Sequence, residues 1–96
     1  MNVRWTAAAR EDRAGAVASI RIDNPRAAAR MDQRFSDAAE KLADFPKLGK
    51  PGKIPGTREL IPHESYRLVY EIEQETVWVL SLVHTSRQWP PVRKLS

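Results

Sequence analysis

The spacing of apolar positions changes several times along the chain, and those changes divide it into elements. Near the start, Val3 and Trp5 alternate with polar neighbours, which predicts a short strand over Asn2 to Trp5. Thr6 is a good N-cap for a helix running from Ala7 to Ile20 or Ile22. Its buried stripe is Ala9, Ala16, Val17 and Ile20, interrupted by Arg13 and weakened at Gly15 by about 1 kcal/mol relative to alanine. Asn24-Pro25 then marks a second start, because asparagine caps well and proline lacks only an N–H that would be unpaired at that position. From there Ala28, Met31, Phe35, Ala38, Leu42 and Phe45 recur at alternating spacings of three and four, one continuous apolar seam. The two helices are expected to form an antiparallel hairpin around Asp23-Asn24, and Pro46 to end the second.

Past Pro46 the period changes. The stretch from Pro46 to Thr57 contains Gly49, Pro51, Gly52, Pro55 and Gly56, so it is expected to be a loop. Three strands are predicted after it: Arg58 to Pro62, Tyr66 to Glu73, and Thr76 to His84. In the second, Tyr66, Leu68, Tyr70 and Ile72 share one face, and Arg67, Val69 and Glu71 the other. The third is apolar on both faces and belongs inside the sheet, while Pro62 belongs at a strand end or edge because it cannot donate to a ladder. The short turn Glu73-Gln74-Glu75 makes a hairpin of the last two. The resulting order, β-α-α-β-β-β, predicts an α+β fold. A helical hairpin packs on one face of a small antiparallel sheet, and the other face lines a shallow basic cleft.

Composition narrows the picture. The 96 residues fit a single domain, 1–96, whose core is thin, since a chain this short buries roughly 60–70% of its unfolded surface. There is no cysteine, which excludes disulfides and thiolate chemistry and fits a cytoplasmic setting. No signal peptide and no membrane span are expected, since no apolar run approaches about 20 residues. The net charge is +4, and the excess is concentrated. Lys47, Lys50, Lys53 and Arg58 lie in one segment free of acids, and Arg87, Arg93 and Lys94 in another. Two such segments point to a polyanion or an acidic protein as partner. His63 and His84 are the only histidines and no acid cluster has ligand spacing, so neither a metal site nor a cofactor is expected. Gly49-Lys50-Pro51-Gly52 lacks the ending of a phosphate-binding loop.

Four strings occur in order: Phe45-Pro46-Lys47-Leu48-Gly49-Lys50-Pro51-Gly52, Gly56-Thr57-Arg58-Glu59-Leu60, Tyr66-Arg67-Leu68-Val69-Tyr70, and His84-Thr85-Ser86-Arg87-Gln88-Trp89-Pro90. Together they cover about half the chain, and the pattern resembles the RelE/ParE superfamily of bacterial toxins, particularly its plasmid-stabilisation or StbE-like branch. The resemblance implies the fold described above and a toxin–antitoxin hetero-oligomer with a cognate antitoxin. It also implies one of two targets. RelE-like members enter the ribosome and cut mRNA; ParE-like members inhibit DNA gyrase without a nuclease site. Ribosome-dependent mRNA cleavage is the first expectation and gyrase inhibition the alternative.

Cleavage without a metal requires a base for the 2′-OH, a cation for the phosphate and an acid for the leaving oxygen. Arg67 interrupts an apolar strand and aligns with a phosphate-binding arginine of the nuclease branch; otherwise it pairs with Glu71. His84 has a suitable titration range, or else caps its strand. Arg87 adds a second cation, or is a solvated tail charge or an antitoxin contact. Lys47, Lys50, Lys53 and Arg58 form a candidate phosphate rail. Trp89 stands where RelE-type enzymes often place a tyrosine; an indole does not exchange a proton at ordinary pH, so Trp89 stacks on a base or packs on the sheet. Glu59 and Glu64 are the carboxylates nearest to a general-base position, although Glu59 is expected to pair with Arg58 or a lysine. Tyr66 and Tyr70 are expected in the core.

Overall fold

The structure is a computed structural model, and it describes residues 1–91. Strand β1 (Asn2–Trp5) leads into helices α1 (Ala7–Asp23) and α2 (Pro25–Asp44). Strands β2 (Lys50–Pro51), β3 (Arg58–His63), β4 (Tyr66–Glu73) and β5 (Thr76–His84) follow.

Both predicted helix starts are made as their residue types dictate. Thr6 Oγ1 accepts from the Ala9 N–H at 3.1 Å. Asn24 serves both helices: its N–H donates to the Ile20 carbonyl at 2.9 Å, closing α1, and its side chain accepts from the Ala27 N–H at 3.0 Å, opening α2. The α2 seam buries Ala28, Phe35, Ala38 and Leu42, and Ala39 joins them. Phe45 does not: it is 63% exposed. The residue before a proline is driven out of the helical region, so the helix ends one position before the seam does. Arg13, the break in the α1 stripe, ties the hairpin together. Its Nε lies 2.6 Å from Asp32 Oδ1, a second guanidinium nitrogen donates to the Asp32 carbonyl at 3.1 Å, and its plane sits 5.0 Å from the Trp5 ring centre.

The sheet runs β1-β5-β4-β3-β2. It is mixed, not purely antiparallel, because β1 pairs with β5 in parallel register, Asn2 opposite Thr76 through Trp5 opposite Val79. The helical hairpin folds back on itself before the chain re-enters the sheet, so the direction of β1 is set by its distant partner. Lys50–Pro51, expected as loop, forms a two-residue edge strand on β3. β5 lies inside the sheet, between β1 and β4, as its two apolar faces predict. Between β4 and β5, Val69 pairs with Ser81 and Tyr70 with Val79, a bulge that leaves Leu80 as the extra residue.

The core lies between the hairpin and one sheet face, where Ala9, Val17, Phe35 and Leu42 meet Leu68, Tyr70, Val77 and Val79. Tyr66 and Ile72 pack against it, as the period-two reading of β4 requires. Arg67, Val69 and Glu71 therefore project from the opposite face.

Candidate functional site

On that outer face the central feature is Glu59. It pairs with Val69 across β3 and β4 and is only 4% exposed. Its Oε1 lies 3.2 Å from Arg67 Nε, and its Oε2 accepts from the Lys53 N–H at 3.0 Å. The Arg67 Nε is itself buried and makes no aligned hydrogen bond, so the pair is an ion pair at contact distance without good hydrogen-bond direction. Glu59 thus joins β4 to the Gly/Pro loop. The partner of Arg67 is Glu59, reached diagonally across the strands, and not Glu71; Glu59 in turn takes Arg67 and a backbone N–H in place of Arg58 or a lysine side chain. Lys50 stands opposite Glu59 in register and so shares the outer face.

A second set of bonds pins the same loop from the helix side. The Tyr70 hydroxyl donates to the Pro46 carbonyl at 2.7 Å and accepts from the Gly49 N–H at 2.9 Å. Burial raises the Tyr70 pKa, opposed by the Gly49 hydrogen bond and the Arg58 charge. A Cβ at Gly49 would lie 2.8 Å from both the Tyr70 ring and the Glu59 carbonyl, so no side chain fits there. At Gly52 a Cβ would collide with Thr57 Oγ1. Arg58 donates to the Gly49 carbonyl at 2.7 Å, so its guanidinium braces the loop. Lys47, Lys50 and Lys53 remain exposed on this braced segment.

His84 and Arg87 lie elsewhere. His84 packs edge-on against Tyr66, with ring centres 5.1 Å apart, and Tyr66 packs in the same way against Phe35 of α2. This places His84 on the helix side of the sheet. Its Nδ1 faces the Ser86 N–H at 3.1 Å and the Ser86 hydroxyl at 2.6 Å. Arg87 follows in a turn closed by its own N–H on the His84 carbonyl at 2.9 Å. Both line a hollow of about 550 Å³ whose other wall is α1, with Glu11, Asp12 and Ser19. Asp12 also accepts from the Leu82 N–H at 3.0 Å, which anchors α1 to β5.

The predicted site residues therefore form two groups. Arg67, Glu59 and Lys50 occupy the outer face, with Lys53 held beside them; His84 and Arg87 stand with α1 on the other side. Trp89 is half-buried, and its indole Nε1 is fully covered without a hydrogen-bond partner among the described residues. Glu64 is exposed in the β3–β4 turn. Arg93 and Lys94 lie outside the described residues. Sequence reasoning missed the bracing roles of Arg58 and the Tyr70 hydroxyl. The one signal for them was the run of glycines beside the lysines, which marks close backbone approach. No group of three or more histidine, cysteine, aspartate or glutamate side chains is placed to hold a metal among the described residues. No helix among them is long and apolar enough to cross a membrane.

A helical hairpin on a five-stranded mixed sheet is an architecture shared with solved ParE-type toxin structures. The structure resembles a chain of the chromosomal ParDE toxin–antitoxin system from P. aeruginosa, with a TM-score of 0.78 at 18% identity, covering 88% of this chain and 95% of that one. It also resembles a YoeB/ParE toxin from Agrobacterium tumefaciens, with a TM-score of 0.63 at 17% identity, covering 88% and 98%. In sequence it is 41% identical over 93 residues to Y4kP of Sinorhizobium fredii (strain NBRC 101917 / NGR234), covering 94% of each. Residues 3–89 match the family described as the ParE toxin of the type II toxin–antitoxin system parDE. The chain belongs to the ParE toxin family, and that membership implies an antitoxin partner.

Proposed function

We propose that this toxin arrests growth in the cytoplasm by binding a protein target, DNA gyrase, with no bond broken by its own side chains. The observation that carries this reading is the separation of Arg67 from His84 on opposite sheet faces. A phosphate-stabilising cation and a proton carrier must converge on one reacting group, within hydrogen-bond reach. Arg67 is also partly neutralised by the buried Glu59, and the tail offers the indole of Trp89 where a phenol would exchange a proton. Membership of the ParE branch points the same way. The decisive experiment is induction in cells, following DNA supercoiling and translation separately, with purified gyrase as control. Stalled gyrase–DNA cleavage complexes are expected while protein synthesis continues. Normal supercoiling at saturating toxin overturns the reading.

One observation favours a second reading, ribosome-dependent mRNA cleavage: His84 and Arg87 border a single hollow large enough for a nucleotide. In that case Lys47, Lys50, Lys53 and Arg58 would hold the RNA backbone, and Trp89 would stack on a base. Arg87→Ala would lower the cleavage rate on translating ribosomes by about 100-fold if Arg87 stabilises transition-state charge in that hollow. Intact transcripts on toxin-treated ribosomes exclude this route.

A further inference from the structure

The outer side of α2 carries charge that the fold does not answer. Arg26, Arg30 and Arg34 recur every four residues, which sets them along one line of the helix with steps of about 6 Å. All three are exposed. The only acid between Pro25 and Ser36 is Asp32, and Arg13 of α1 holds it at 2.6 Å. Acids return only further along the helix, at Asp37, Glu40 and Asp44, and Asp37 accepts a hydrogen bond from Gln33 at 2.8 Å. Among the described residues, none of the three arginines forms an ion pair. The arrangement runs against helix physics twice. Like charges four residues apart repel, and Arg26 stands in the first turn, where the helix dipole favours an acid and none is present. A cost of this kind, on a surface where uncharged residues would serve the helix better, marks a binding face.

The chemistry of the face narrows its occupant. All three cations are arginines, whose planar guanidinium matches two phosphate oxygens at once. No large hydrophobic side chain is exposed on α2, so the face lacks the apolar anchors that hold a protein partner. Nucleic-acid interfaces are instead polar and strongly positive. We propose that Arg26, Arg30 and Arg34 grip the phosphate backbone of duplex DNA, with one strand lying along the line of α2. The choice of DNA over RNA rests on the gyrase reading, since a toxin bound to gyrase works beside the duplex that gyrase holds. The contacts are to phosphates, so binding is insensitive to base sequence and driven by release of counterions. A toxin that holds the duplex as well as the enzyme stays longest where the two are together.

The test is titration of the full toxin with a short labelled DNA duplex of mixed sequence, with no gyrase present, from about 50 to 200 mM salt. The logarithm of affinity should fall with the logarithm of salt at a slope of about −3, roughly one for each arginine. Arg30→Ala should make that slope shallower by about one and weaken binding by about 3-fold or more at low salt. Arg26→Ala, Arg30→Ala and Arg34→Ala combined should weaken it by at least about 10-fold. Arg10→Ala, which removes the same charge from an exposed site on α1, should leave the slope unchanged. Melting curves check that each variant folds. No binding at the low-salt end, or equal affinity in the folded triple variant, overturns the proposal. So does an Arg10→Ala effect as large as that of Arg30→Ala, which would assign binding to net charge alone. An RNA duplex of the same sequence bound more tightly than the DNA would give the face to RNA. A triple variant that loses antitoxin affinity but keeps DNA affinity would give it to the antitoxin. Either result also overturns the proposal. Normal gyrase supercoiling with DNA binding intact would sink the gyrase reading alone.

Discussion

Against the helices, the sheet is held by apolar side chains such as Phe35, Leu42 and Leu68, all fully buried. At its outer corner the corresponding work is done by polar groups, with Glu59 gripping Arg67 on one side and the loop backbone at Lys53 on the other. The first region is non-directional and tolerates small shifts, because burial depends on area and not on angle. The second depends on a few atoms in fixed positions, and it holds the part of the chain richest in exposed lysine. Stability and the presentation of charge therefore reside in different contacts and can be altered separately.

Breaking the apolar side should have the largest effect. Phe35→Ala removes a ring packed against Tyr66 and should cost about 3–5 kcal/mol in denaturant unfolding, lowering stability everywhere in the molecule. Glu59→Ala comes next, at about 2–3 kcal/mol, since Arg67 keeps some solvent contact and the loss is smaller than for a fully buried pair. Its signature should be local, with proteolysis appearing first between Gly49 and Gly56. A Glu59→Ala protein whose loop resists protease as well as the unaltered chain would show that the corner is held by something else.

Tyr70→Phe should cost about 1–2 kcal/mol, because it leaves the Gly49 N–H and the Pro46 carbonyl without their shared hydroxyl. It should also change the alkaline limb of stability. Burial raises the Tyr70 pKa in the folded state, so above the ordinary value of 10.0 the unfolded chain loses this proton first. Stability from this group is complete below pH 10 and falls as pH rises towards the folded pKa. The phenylalanine variant should lack that component of the decline, as seen in urea midpoints measured from pH 8 to 11. The smallest effect should come from Gly15→Ala on α1, where an added Cβ meets nothing within 4 Å. A gain of about 0.5–1 kcal/mol is expected from the helix alone, read as a rise in melting temperature.

Much of the fold was legible in the sequence because its signals are local. Thr6, Asn24-Pro25 and the spacing of Ala28, Phe35 and Leu42 each act over a few residues, and each structure they predict is present. The alternation of β4 gave its core face for the same reason. What was not legible depends on partners far along the chain. The parallel direction of β1 is set by Thr76 to Val79, and the edge strand at Lys50–Pro51 by Arg58 and Glu59. The Arg67 partner was misjudged because Glu71 is near in sequence, whereas Glu59 is near only once the strands are in register. Gathering the site residues into one cleft failed similarly. Arg67 and His84 occupy neighbouring strands, but their register and alternation direct them to opposite sides.

Asn24 joins α1 and α2 with no spare residue between them. The hairpin has no joint at its apex, so a target or antitoxin pulling on one helix must move both as a single lever. One alanine inserted into α2 just after Pro25 would turn every later position of that helix by about 100° relative to its cap and advance it by about 1.5 Å. Phe35 would then leave the sheet, and the far end of the molecule would register an error made at its tip.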